Sequence, residues 1–235
     1  LHLCDRRQRQ MCIRDSTKAL TRLKGLENDP VFMLLHGWGS NEYDLPDLLN
    51  YCGAGSADYA SLQAPIAYGM GYTWFGSWAH EGVPEGKSLD EQALAAAQAI
   101  DAWVGANIPA TRPIVMMGFS QGGLLATHIL RFNPNRYAAA VSCSGWLAPG
   151  TVDGDAQLAS LQPPVFYGHG AIDDIFPKAD VAAMGTFWRE HGTLTEEVYP
   201  GMAHSINMPE MRDIQRFLEK NGFISCLLYT SDAAD

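Results

Sequence analysis

One serine of this sequence is set in a pattern that makes a hydroxyl nucleophilic. Ser120 lies in the segment Gly118-Phe119-Ser120-Gln121-Gly122, which has the form G-x-S-x-G. The apolar residues 114–117 before it predict a buried strand, and the residues Gln121–Phe132 predict a helix. In such a strand–turn–helix setting the pattern predicts a nucleophile elbow, a sharp turn that holds the serine hydroxyl above the edge of a sheet.

A serine hydroxyl needs a general base beside it at neutral pH. His204 is the histidine that we expect in that role, because it lies in a glycine-containing loop after the last predicted strand. His128 lies within the helix that follows Ser120 and is expected to be structural. His36 and His169 precede glycines at strand ends, where they either touch the site or, as we expect, form buried hydrogen bonds.

A histidine base is held in its working tautomer by a carboxylate. Asp173 and Asp174 both follow the strand predicted at residues 165–168. Asp173 is predicted to be the partner of His204, and Asp174 is predicted to cap the helix that comes next. The order Ser120, Asp173, His204 along the chain is that of α/β-hydrolases and differs from the orders in chymotrypsin and subtilisin.

The oxyanion that forms when a serine attacks a carbonyl needs two N–H donors. The Gln121 N–H is expected to supply one, since it lies at the positive end of the helix. The Trp38 N–H is expected to supply the other, because Gly37 lets the backbone of segment 36–40 approach closely, and Gly37 is therefore also predicted to contact substrate. The alternative is that this segment is only a tight turn.

A long segment rich in glycine and aromatic residues, 66–87, follows the second central strand. A loop of this length in a compact domain is usually functional. Met70, Trp74 and Phe75 from this segment, together with Trp38, are expected to line a pocket for the acyl or alcohol group. Packing in the core or within the loop is the alternative for each of them.

Alternating strands and helices must bring these residues together. Further strands are predicted at residues 31–36, 59–62, 137–143 and 194–199, and further helices at 42–51, 88–107, 177–191 and 207–221, the last capped by Asn207 and Glu210. The alternation predicts an α/β fold with a mainly parallel sheet and helices on both faces. Ligands of such sheets bind beyond the carboxyl ends of the strands, and the candidate triad residues and the Gly37-Trp38 segment all lie just past strand ends.

The composition narrows the class of protein. The chain has 235 residues, 47% of them hydrophobic, which suits one α/β domain with a sizeable core. The net charge of −10 argues against a nucleic-acid partner, and no apolar run approaches the ~20 residues of a membrane span. Outside the two ends only Cys52 and Cys143 remain, which form neither a disulfide framework nor a zinc pattern and suit a reducing, cytoplasmic setting.

Both ends of the chain have an unusual sequence. Residues 6–16 and 226–235 back-translate naturally into the two strands of a transposase adapter used in sequencing libraries. We therefore expect residues 1–16 and 226–235 to be non-native and the α/β domain to occupy residues 17–225, so that a native start, with any signal peptide, is missing.

Four segments taken together carry a family resemblance. They are Leu-His-Gly-Trp-Gly-Ser at 35–40, Gly-Phe-Ser-Gln-Gly-Gly at 118–123, His-Gly with Asp173 and Pro177 in 169–177, and Tyr-Pro-Gly-Met-Ala-His-Ser at 199–205. In this order they resemble the phospholipase/carboxylesterase family, which includes the acyl-protein thioesterases. The resemblance implies a small α/β-hydrolase without a large cap, with Ser120, Asp173 and His204 as catalytic triad and Trp38 and Gln121 as oxyanion donors.

The same resemblance implies a function. Members hydrolyse small carboxylic esters or thioesters of short to medium acyl chains through an acyl-enzyme, without a cofactor. The segment around Trp74 is richer in glycine and aromatics than in the eukaryotic thioesterases, and residues 151–161 are short and polar, which favours a bacterial carboxylesterase with a shortened acyl channel. The alternatives are a peptidase of the same fold and an inactive hydrolase that serves as a binding module.

Overall fold

Nine strands and five α-helices make up the described part of the chain, which is residues 18–24, 27–76 and 89–225 of the computed structural model. The strands are β1 (Ala19–Arg22), β2 (Val31–Leu35), β3 (Asp58–Leu62), β4 (Ile66–Tyr68), β5 (Gly71–Thr73), β6 (Ile114–Phe119), β7 (Ala139–Cys143), β8 (Pro164–Gly170) and β9 (Thr193–Tyr199). The helices are α1 (Leu89–Asn107), α2 (Gln121–Phe132), α3 (Asp155–Leu161), α4 (Lys178–His191) and α5 (Met208–Lys220). The two ends that the sequence analysis set apart lie outside the described residues.

Seven of these strands form one sheet in the order β1-β3-β2-β6-β7-β8-β9. Within this sheet only the edge strand β1 runs antiparallel to its neighbour, and the other pairs are parallel. The carboxyl ends of β2, β6, β7 and β8 therefore lie side by side, since the register aligns Leu35 with Gly118 and Phe119 with Cys143. The α/β fold with a mainly parallel sheet is confirmed, and no large cap is inserted within the described ranges.

The surroundings of the central strand β2 explain why its sequence is apolar at every position. Val31, Met33 and Leu35 face one core cluster, and Phe32 and Leu34 face another on the opposite side of the sheet. All five side chains are fully buried. A strand covered on both faces reads as a continuous apolar run rather than as an alternating one, as predicted.

The helices cover the two faces unequally. Buried residues of α1, α2, α3 and α4 belong to the core cluster on one face of the sheet. Those of α5 belong to the other cluster, together with Leu49 from a short 3₁₀ helix, Pro46–Asn50. The prediction of helices on both faces is therefore confirmed.

Three local predictions were wrong or incomplete. The helix expected at residues 42–51 is only the 3₁₀ helix at 46–50, because Pro46 lacks an N–H and suits only a first turn. Asn41, whose residue type suits the N-cap of that expected helix, instead accepts a hydrogen bond from the Tyr43 N–H in a turn. The polar stretch 151–161 contains α3, and the predicted loop 66–87 begins with a hairpin of β4 and β5; its residues 77–88 lie outside the described ranges.

Candidate active site

The turn between β6 and α2 places Ser120 in a strained backbone conformation. Its φ is 55° and its ψ is −117°, a combination that costs an ordinary residue ~1–3 kcal/mol. A Cβ on Gly118 would overlap the carbonyl of Gly122, and a Cβ on Gly122 would overlap the carbonyl of Leu35. The Ser120 N–H donates to the Cys143 carbonyl at 2.9 Å, so the neighbouring strand β7 holds the turn in place.

Three side chains from three strand ends form one chain of hydrogen bonds. His204 Nε2 lies 2.8 Å from Ser120 Oγ, and His204 Nδ1 lies 2.7 Å from Asp173 Oδ2. The Asp173 and His204 side chains are 8% and 19% exposed, so solvent competes little for the pair. The other carboxylate oxygen, Asp173 Oδ1, accepts the Ile175 N–H at 3.1 Å. The structure thus brings together all three residues that the sequence singled out as a triad, while their catalytic role stays a prediction.

Two aromatic rings hold the imidazole of His204. Phe119 lies on one side with ring centroids 4.9 Å apart, and the Phe176 ring meets the imidazole edge-on at 5.4 Å. Phe176 in turn stacks on Trp146 at 4.0 Å. The backbone joins the two loops as well, since the Ile172 N–H donates to the Met202 carbonyl at 3.1 Å. The carboxylate and the imidazole are therefore carried by one connected unit.

The two expected oxyanion donors lie at the carboxyl ends of adjacent strands. Trp38 follows β2 and Gln121 follows Ser120 directly, and β2 pairs with β6 in parallel register. Neither N–H donates to a protein acceptor within the described residues. A Cβ on Gly37 would lie 3.1 Å from the Phe119 ring, so only a glycine brings this loop against the elbow without displacing that ring.

The four expected pocket side chains have different surroundings. Trp74 and Phe75 are buried in the core, which is the alternative that the sequence left open. Met70 is fully exposed in the turn between β4 and β5. Trp38 is half-buried, and its ring packs edge-on against Tyr68 at 4.7 Å.

The remaining histidines at strand ends or in α2 also have defined surroundings. His36 is fully buried, accepts the Ala64 N–H at Nε2 and bonds the Gly37 carbonyl through Nδ1, so it has the buried hydrogen-bonding role that we expected. Burial lowers the pKa of His36 and keeps this tautomer neutral. His128 is buried as a structural residue, and burial lowers its pKa to about 4. His169 stacks on Tyr167 with ring centroids 5.0 Å apart.

A cavity of about 460 Å³ has Asp173 among its lining residues. Strands β8 and β9 and helix α4 form its walls, with Tyr167, Val181 and Phe176 among the lining residues. Asp173 lines this cavity, whereas Ser120 and His204 are not among its lining residues.

The helix caps near the site differ in part from the prediction. Asp174 does not cap α4, because Pro177 is the residue at that position and no side chain caps the helix. Asn207 caps α5 by accepting the Glu210 N–H at 2.9 Å, as predicted. The Glu210 carboxyl does not return the bond but is fully buried against Gly168 and Cys143, and burial raises the pKa of Glu210 to about 7.

Three further features of the described residues concern metal binding, membrane insertion and free thiols. No three His, Cys, Asp or Glu side chains are gathered in a way that could hold a metal ion. No described helix has the length and apolarity needed to cross a membrane. Cys52 and Cys143 are buried free thiols, and burial raises the pKa of Cys52 to about 11.

A family model and the relatives found by sequence comparison agree on the kind of protein that this chain resembles. The model of the family described as Phospholipase/Carboxylesterase matches residues 18–222. The acyl-protein thioesterase 1 of Eremothecium gossypii is 26% identical over 206 residues, which cover 81% of this chain and 87% of that protein. That of Kluyveromyces lactis is 32% identical over 112 residues, but the match spans only 46% of this chain and about half, 49%, of the relative.

Solved structures show the same fold. The carboxylesterase of Bacillus cereus superposes with a TM-score of 0.74 at 19% identity, over 88% of this chain and 95% of that chain. The structure described as esterase PE8 gives a TM-score of 0.68 at 23% identity, over 87% and 98%. The family model covers most of the sequence, so the resemblance noted in the sequence is confirmed: the chain belongs to the phospholipase/carboxylesterase family.

Proposed function

We propose that this protein is a serine hydrolase that cleaves carboxylic esters, and also thioesters, through an acyl-enzyme. The observation that carries the proposal is the hydrogen-bonded chain from Ser120 Oγ to His204 and on to Asp173. A hydroxyl, an imidazole and a carboxylate connected in this order are the arrangement that activates a serine for attack on a carbonyl.

Each proposed step uses one of these contacts. His204 Nε2 takes the proton of Ser120 as the oxygen attacks the carbonyl carbon, and the Asp173 carboxylate stabilises the imidazolium that forms. The Trp38 and Gln121 N–H groups donate to the oxyanion. His204 then gives its proton to the leaving alcohol or thiol, and a water molecule repeats the sequence on the acyl-enzyme with His204 again as base.

We propose an apolar acyl group of short to medium length, as the family resemblance implies. Exposed apolar side chains lie on two segments: Tyr68 and Met70 on the hairpin, which is bonded to the loop that carries Trp38, and Ile172 and Ile175 close to Asp173 in the chain. The proposed partner is thus a small ester or thioester with an apolar tail. The proposed compartment is the cytoplasm, which suits the two free thiols.

A direct test measures hydrolysis of p-nitrophenyl acetate by the wild-type chain and by Ser120→Ala. We expect the variant to lose several orders of magnitude in kcat while keeping its melting temperature, since it removes only one oxygen. Ser160→Ala removes an exposed hydroxyl from α3 and is the matched control, with unchanged kcat.

A fluorophosphonate probe and a substrate panel decide between this proposal and its alternatives. The wild-type chain should be labelled by the probe and Ser120→Ala should not. An unlabelled wild-type chain would support an inactive binding module, and faster cleavage of blocked peptide amides than of esters would support a peptidase. A series of p-nitrophenyl esters and thioesters of graded chain length then measures the acyl preference.

A further inference from the structure

The hairpin of β4 and β5 is joined to the loop that follows β2. The Gly39 N–H donates to the Tyr72 carbonyl at 2.9 Å, and the Tyr72 N–H donates to the Ser40 carbonyl at 2.7 Å. A Cβ on Gly71 would overlap the Gly39 carbonyl, so the two backbones are in closest contact there. The position of the hairpin therefore fixes the loop in which Trp38 lies.

The segment after the hairpin holds the same loop from its other side. Trp74 Nε1 donates to the His36 carbonyl at 2.9 Å, and the two rings lie 5.3 Å apart. His36 also accepts the Ala64 N–H, which fixes the end of β2 against the segment after β3. Residues on both sides of the Trp38 peptide are thus held by hydrogen bonds from Tyr72 and Trp74.

The side chain of Gln121 holds this segment in turn. Gln121 Oε1 accepts the Trp74 N–H at 2.8 Å, and Gln121 Nε2 donates to the Phe75 carbonyl at 3.0 Å. Thr73 Oγ1 lies 2.9 Å from Gln121 Oε1 as well. The Gln121 and Thr73 residues are both 2% exposed, so water does not replace these bonds.

An amide is the group that this position requires. One planar end group must accept from the N–H of residue 74 and donate to the carbonyl of residue 75, which a carboxylate or an apolar side chain cannot do. The backbone N–H of the same Gln121 is one of the two proposed oxyanion donors. Its side chain leads through Trp74 and His36 to the loop that carries the other donor, Trp38.

We propose that the Gln121 side chain is a positioning residue that sets the spacing between the two oxyanion donors, with Trp74 as the link. This rests on the proposed function, because it assigns a task to the oxyanion donors of that reaction. Residues 38 and 121 come from distant parts of the chain, and the buried amide holds their loops at one distance. Losing it lets the Trp38 N–H move relative to the Gln121 N–H without removing either donor.

The test compares Gln121→Met with the wild-type chain. Methionine has a similar length and no hydrogen-bonding amide. Removing one oxyanion donor from a hydrolase costs ~10²–10³ in kcat, and a displaced donor should cost less, about 10–100-fold. We expect KM to change by less than about threefold, because the donors act on the transition state rather than on the bound ester.

A second readout isolates the oxyanion. A trifluoromethyl ketone forms a tetrahedral adduct with an active-site serine, and its oxygen carries the negative charge. The ketone should bind Gln121→Met more weakly than the wild-type chain, by the same factor by which the substitution lowers kcat/KM. Tyr137→Phe is the matched control, since it removes one partly buried hydrogen bond, that to Asp101, and should leave both quantities unchanged. If the Gln121 side chain only stabilised the fold, Gln121→Met would behave like Tyr137→Phe: its melting temperature would fall, and its kcat/KM and its affinity for the ketone would stay unchanged.

Trp74→Phe provides an independent variant, because it removes the donor to the His36 carbonyl and leaves Gln121 in place. Trp74→Phe should lower kcat and ketone affinity together. It therefore tests the proposal even if Gln121→Met does not fold. Folded variants with wild-type kcat and ketone affinity would overturn the proposal. This outcome differs from failure of the proposed function, in which Ser120→Ala itself would retain activity.

Discussion

Replacing Asp173 by asparagine should put the proton of His204 on the wrong nitrogen. Asp173 Oδ1 accepts the Ile175 N–H at 3.1 Å, and only an oxygen can accept there. In Asp173→Asn the amide oxygen is therefore held at Ile175, and the NH₂ group faces His204 Nδ1, where Oδ2 lay at 2.7 Å. Nδ1 must then accept a hydrogen bond, and the proton moves to Nε2. An Nε2–H cannot take the proton of Ser120.

The expected loss of activity in Asp173→Asn can be estimated from the contacts that the substitution changes. The substitution alters one buried contact and leaves the nucleophile and both oxyanion donors in place. The same change of tautomer in a serine protease triad lowers kcat by ~10⁴. We expect a loss of about 10³–10⁴ in kcat/KM here, which corresponds to ~4–5.5 kcal/mol of transition-state stabilisation.

The assay is steady-state hydrolysis of p-nitrophenyl butyrate, with melting temperatures for both proteins. Asp174→Asn is the matched control: it removes the same charge one residue away, from an exposed side chain, and should keep kcat/KM within about twofold to threefold of the wild-type value. A folded Asp173→Asn variant within tenfold of the wild-type rate would refute the argument from the tautomer. An equal loss in Asp174→Asn would show that the charge or the loop matters rather than the bond.

Two further predictions concern stability. Glu210 keeps its proton in the folded chain up to a pH of about 7 but loses it near 4.5 when unfolded, so the free energy of unfolding should fall by up to about 3 kcal/mol as the pH rises from 4.5 to 8. Urea unfolding at pH 5 and pH 8 should show this part of the pH dependence in the wild-type chain and not in Glu210→Gln. Gly122→Ala should destabilise the fold by about 3 kcal/mol or more, because its Cβ would overlap the Leu35 carbonyl, whereas Gly105→Ala on the exposed face of α1, where no atom lies within 4 Å, should gain ~0.5–1 kcal/mol in the same denaturation experiment.

The elements that carry the site were predictable because their signals are local. An apolar run predicts a buried strand wherever it lies, and the G-x-S-x-G pattern predicts the turn after β6 from five residues. Parallel strands bring their carboxyl ends to one edge, so the positions of Asp173 and His204 after β8 and β9 sufficed to expect them near Ser120. The distances of 2.7 and 2.8 Å between their atoms agree with that expectation.

The parts that were missed depend on contacts between distant residues. The pattern around Asn207 predicts that Glu210 returns a capping bond, but α5 packs this carboxyl against Gly168, which leaves room for it only because glycine has no side chain. The aromatic segment at Trp74 has the composition of a substrate loop. Its burial follows from the hydrogen bond to the His36 carbonyl and from the Gln121 amide, and neither partner lies near it in the sequence.

The residue after the nucleophile shows how the elbow and the hairpin depend on each other. The strained turn at Ser120 is held from one side by the Cys143 carbonyl of β7 and from another by the close packing of Gly122 on β2. The Gln121 amide adds a third attachment, to the segment after the hairpin. A side chain at position 121 that packed equally well but made no hydrogen bonds would lose the attachment to the segment after the hairpin. It would keep the turn, because the contacts with β7 and β2 are sufficient to hold it. Activity should therefore be more sensitive than stability to the choice of residue at position 121, and the reverse should hold for Gly118 and Gly122.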